Sequence, residues 1–73
     1  MKLYNWRNKE VKLINRLTGE EVHKGDTIYF SKHGNSAGQS AILESIEPPH
    51  KPSASGKVNY YYASVFDLEF VEI

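Results

Sequence analysis

The sequence contains no cysteine, which removes disulfides and thiolate metal ligation together and suits a reducing, cytoplasmic setting. No apolar run approaches the ~18 residues of a membrane-spanning helix, and nothing resembles a secretion signal. Apolar residues at helical spacing are also missing, so no helix is expected. The chain is short. Its 73 residues suit one domain, and a domain of that size buries only roughly 60% of its unfolded surface, so an enclosed active site would compete with the core.

Catalytic patterns are equally scarce. His23, His33 and His50 lack the close spacing of a zinc site. Ser53 or Ser55 can be written beside His50 and Asp26 as a triad, but no nucleophile elbow accompanies them. The run His33–Gln39 holds two glycines and no lysine opening a helix, unlike a phosphate-binding loop. The expectation is a protein that is not an enzyme, with no catalytic residues, no metal and no cofactor.

What the chain does have is aromatic bulk and alternation. Five Tyr, three Phe and one Trp supply large buried areas to a small core. Net charge is zero, yet residues 1–35 carry seven Lys or Arg against four Asp or Glu, and residues 36–73 carry two against five. A basic footprint for non-specific nucleic-acid binding is therefore weak, and a bipolar surface suits protein partners better.

Period-two patterning returns five times, over Glu10–Leu17, Thr27–Lys32, Ser40–Glu47, Lys57–Ala63 and Ser64–Ile73. Turns at Thr18-Gly19-Glu20 and Gly25-Asp26 and a loop at His33–Gln39 separate the first three. The pattern predicts an all-β fold: a small, strongly bent antiparallel sheet or SH3-like barrel of about five strands. Residues 1–9 form an edge strand or arm, and residues 10–73 the single β domain. Ile28, Phe30, Ile42, Phe66 and Leu68 are the expected core. Asn15 shares the inward parity of Val11, Leu13 and Leu17, so the first strand is expected to end or bulge there.

The least ordinary stretch is Glu47–Val58. Pro48, Pro49 and Pro52 fix φ and lack an N–H, so the segment is a connection, stiff up to Lys51. Ser53 to Gly56 must turn it back, with Gly56 free to take positive φ. Such a loop is either a contact surface presenting His50, Lys51 and Lys57 or an ordinary hairpin connection. Trp6 and Arg7 are residue types enriched at binding hot spots, although Trp6 would also serve as a cap on the core. Among Tyr60, Tyr61 and Tyr62 at least one must face away from the core, either to stack on a partner or to cover a sheet edge. The partner-binding candidates are Trp6, Arg7, His50, Lys51, Pro52, Ser53, Ser55, Gly56, Lys57 and Tyr61.

Two blocks carry a family resemblance. Thr18-Gly19-Glu20 through Val22-His23-Lys24-Gly25-Asp26, and later Pro49-His50-Lys51-Pro52-Ser53-Ala54-Ser55-Gly56-Lys57-Val58, resemble small phage-encoded β-domain proteins. Their pattern reads T-G-E-x-V-x-x-G-D, then P-H-K-P-S-x-[ST]-G-[RK]-V and an aromatic strand. The likeness covers residues 10–65, and relative to it Lys32–Gly38 looks like an insertion. The resemblance implies a phage transcription regulator that binds the large subunits of bacterial host RNA polymerase. It implies inhibition of initiation by weakened sigma-factor engagement, and antitermination. On that reading the protein works as a monomer in the host bacterial cytoplasm, away from membranes, with nucleic acid in the complex as a further contact. A nucleic-acid-binding small β-barrel and a virion or assembly component are the alternatives.

Overall fold

The computed structural model describes residues 2–34 and 37–73; Asn35 and Ser36 of the expected His33–Gln39 loop lie outside the described residues. The fold is all-β. The strands are β1 (Leu3–Tyr4), β2 (Glu10–Asn15), β3 (Thr27–Tyr29), β4 (Ser40–Ile42), β5 (Ile46–Glu47), β6 (Lys57–Val58), β7 (Tyr61–Tyr62) and β8 (Leu68–Glu72). One 3-10 turn, Ala63–Phe66, joins β7 to β8. The strands form three small antiparallel sheets, ordered β1-β2-β8, β3-β4 and β5-β6-β7, and none closes into a barrel. The bent-sheet form of the expectation holds, and the barrel form does not.

All five expected strands are shorter than their pattern: Thr27–Lys32 ends at Tyr29, Ser64–Ile73 becomes a strand only at Leu68, and the other three are cut for identifiable reasons. β2 ends at Asn15, whose Oδ1 accepts hydrogen bonds from the backbone N–H of Leu17 and Thr18 and curls the chain outward. Leu17, expected inward, is therefore exposed. The Lys57–Ala63 run becomes a hairpin because Asn59 and Tyr60 both adopt positive φ, 50° and 67°, as a two-residue turn between β6 and β7 demands. The Ser40–Glu47 run breaks after Ile42, where Asn59 takes over the pairing: its Oδ1 accepts from Glu44 N–H (2.8 Å) and Ser45 N–H (3.0 Å). Its Nδ2 donates to the Ile42 carbonyl at 2.8 Å.

That break corrects one core assignment. Ala41 and Leu43 turn inward, and after the interruption Ile46 can do so as well, which leaves Ile42 half exposed at 50%. The core is Leu13, Ile28, Leu43, Val58, Ala63, Phe66 and Leu68, with Phe30 and Phe70 packed against it. The Phe30 ring lies 4.6 Å from that of Phe66. Ile42→Ser is accordingly expected to change unfolding free energy by no more than about 0.5 kcal/mol, as measured by denaturant titration.

Candidate functional site: a cleft under the proline loop

The connection between β5 and β6 is anchored at its two ends and braced internally between them. At its start the Pro49 carbonyl accepts a hydrogen bond from Trp6 N–H at 3.1 Å. In its middle Ala54 N–H donates to the Lys51 carbonyl at 3.0 Å, closing a turn around Pro52 and Ser53. At its end Gly56 takes φ 76° and is buried with its Cα facing the Phe70 ring. Gly56 thus offers almost no surface. It sets the angle of the loop, and the residues on either side of it do the presenting.

Beneath the loop lies an open cleft of about 630 Å³. Six of the ten candidates line it: His50, Lys51, Ser53, Ser55, Gly56 and Lys57. Glu47, Ala54, Tyr62 and Ser64 complete the walls. The cleft is polar, with two lysines against the single carboxylate of Glu47. Lys57 Nζ stands 5.9 Å from the centre of the Tyr62 ring, within cation–π range. Pro52 is exposed within the turn and does not line the cleft.

Tyr61 lies elsewhere. Its ring meets Phe30 and Phe66 edge-on, at 6.2 and 6.0 Å, and it borders a second open cleft with His33 and Gln39. Ser64 belongs to both clefts. All three consecutive tyrosines are exposed, at 78%, 54% and 60% for Tyr60, Tyr61 and Tyr62.

Trp6 and Arg7 are held on the domain. Buried Asn5 organises them: its Oδ1 accepts from Arg7 N–H and Lys9 N–H, and its Nδ2 donates to Glu72 Oε2 at 2.9 Å. Trp6, 41% exposed, then borders a groove shared with Pro49, Ala54 and Ser55. Arg7 reaches Glu72 at 3.5 Å. A second pair, Arg16 to Asp67 at 3.0 Å, also joins a cation of the first half to an acid of the last strand region. The charge split along the chain is therefore partly neutralised in space.

Glu47 and Ser64 at the cleft, and Asn5 at the groove beside Trp6, were not read as site residues from the sequence, while Tyr62 was among the three tyrosines expected to stack on a partner or cover an edge. A polar asparagine beside an aromatic anchor is the one signal that could have pointed to Asn5. Among the described residues no group of three or more His, Cys, Asp or Glu side chains could hold a metal ion, and no helix is long and apolar enough to cross a membrane. Compared with protein-family models, curated proteins and solved structures, the chain matches none.

Proposed function

We propose that the protein is a binding module that acts by occupying a surface of another macromolecule with the cleft under its proline loop. The observation that carries this reading is convergence: residues picked for their chemistry along eight positions of sequence, His50 to Lys57, line one open cleft whose loop is anchored at Pro49 and Gly56 and braced internally by the Lys51–Ala54 turn. A surface already ordered before binding loses less conformational entropy on association. In its finer form the reading follows the resemblance to a small Xanthomonas phage transcription regulator. The partner is then bacterial host RNA polymerase through its large subunits, and the effects are weakened sigma-factor engagement and antitermination. Affinity capture from bacterial lysate at low salt is expected to retain polymerase subunits; capture of none of them would reject that partner.

A second reading is favoured by one specific arrangement. Lys57 over Tyr62 places a cation beside an exposed aromatic ring, and the exposed Tyr61 ring borders the neighbouring cleft that shares Ser64. Single-stranded nucleic acid is held by that combination. Titration of labelled RNA or DNA at two salt concentrations separates the two readings, because backbone contacts made by Lys51 and Lys57 weaken as salt rises.

A further inference from the structure

The hydrogen-bond parity of the first sheet leaves one strand edge open. Arg16 N–H donates to the Asp67 carbonyl and Ile73 N–H to the Glu10 carbonyl, so residues 67, 69, 71 and 73 face β2. In an antiparallel ladder the alternate residues then point their N–H and C=O groups the other way. Those residues are Leu68, Phe70 and Glu72, and β8 is the last strand of its sheet. Among the described residues no backbone hydrogen bond satisfies them. Leu68 is buried, which leaves Phe70 and Glu72 as the reachable positions.

Folded proteins commonly blunt such edges with shortness, proline, bulges or lysine. The other edge strands here have two or three residues. β8 has five, reads Leu-Glu-Phe-Val-Glu, and contains no proline or lysine. Beside it lies a groove of about 270 Å³ whose lining brings Glu69, Phe70 and Glu72 together with Trp6, Pro49 and Ser55. An extended chain fits between a hydrogen-bonding edge and an aromatic wall in the manner of strand addition.

Charge selects the occupant. Glu69 is exposed and makes no salt bridge among the described residues, and Glu72 shares its carboxylate with Asn5 and Arg7. Two copies pairing edge to edge would bring these carboxylates together, which opposes a homodimer through this strand. An incoming residue opposite Glu69 would instead be favoured if cationic. We infer that the β8 edge is a binding site for an extended partner segment carrying Lys or Arg at alternate positions, added as a further strand between β8 and the Trp6–Ser55 wall. The site shares Ala54 and Ser55 with the cleft under the proline loop, but its hydrogen-bonding residues, Phe70 and Glu72, lie outside that cleft, and it does not depend on the reading given to it.

Three heptapeptides test it by amide NMR titration of the whole protein: alternating Val–Lys, alternating Val–Glu, and Val–Lys with its alternate amides N-methylated. The Val–Lys peptide is expected to shift the amides of Glu69 to Glu72 and to slow hydrogen exchange at Phe70. The other two peptides should bind at least tenfold more weakly, and Glu69→Lys should weaken the Val–Lys peptide by at least tenfold. His50→Ala with Lys51→Ala should leave this titration unchanged. Equal binding of the N-methylated peptide would overturn the inference, as would shifts confined to other strands, or a Phe70 amide already protected in the free protein.

Discussion

Gly56→Ala is expected to cost about 3 kcal/mol of stability, from left-handed backbone strain in a residue with a side chain plus overpacking against a neighbour. A Cβ at position 56 would lie 2.5 and 2.7 Å from Phe70 Cε2 and Cδ2, and 3.0 Å from the Glu47 carbonyl oxygen. The ring could swing away only by leaving the core against which it packs. The carbonyl belongs to β5 and moves only with its strand. For a domain of this length the loss corresponds to a fall in Tm of roughly 12–24 °C, readable by thermal melting. Combining Gly56→Ala with Phe70→Leu should cost less than the sum of the two single changes, because both act at one contact. Full additivity would mean that the close approach of residue 56 to the ring is not what sets the cost.

Asn59→Ala is expected to be nearly as damaging, at about 3 kcal/mol, and Asn59→Gly less so, at about 2 kcal/mol. The amide of Asn59 binds three backbone groups, at Ile42, Glu44 and Ser45, that would otherwise lack partners where β4 gives way to β5. Both variants lose these bonds. Only alanine also suffers at φ 50°, so the gap between the two measures backbone strain alone. Asn59→Asp keeps both accepted bonds but turns a carboxylate oxygen toward the Ile42 carbonyl, and it should fall below Asn59→Gly in denaturant titrations. An Asn59→Gly variant as stable as the unaltered protein would show that water replaces the amide without cost.

These two positions also mark where local pattern ceases to report structure. The end of β2 at Asn15, the turns at Gly19 and Gly25, the positive φ of Gly56 and the burial of Ile28, Phe66 and Leu68 all follow from residues near each other in sequence. So does the gathering of His50 to Lys57, since a braced loop keeps neighbours together. Asn59 acts on residues 14 to 17 positions away, and no periodicity encodes that. The break it completes frees Leu43 and Ile46 to face inward together, which is why Ile42 was assigned to the wrong side. The same limit applies to charge. Arg7 meets Glu72 and Arg16 meets Asp67 across most of the chain, so part of the split between the two halves is neutralised where they meet. Tyr62 and Ser64 enter the cleft only because the Asn59–Tyr60 turn folds β7 back beside β6.

The scaffold and the surface are therefore separable by mutation. Gly56, Asn59 and the core hold the shape, while His50, Lys51, Ser53 and Lys57 are exposed on it. The most direct measurement is the affinity of the His50→Ala, Lys51→Ala double variant for purified bacterial RNA polymerase by calorimetric titration, with thermal melting in parallel. The expected result is an affinity at least tenfold below that of the unaltered protein at an unchanged Tm. Polymerase binding of undiminished strength by a variant that melts normally would contradict the assignment of the cleft as the docking surface.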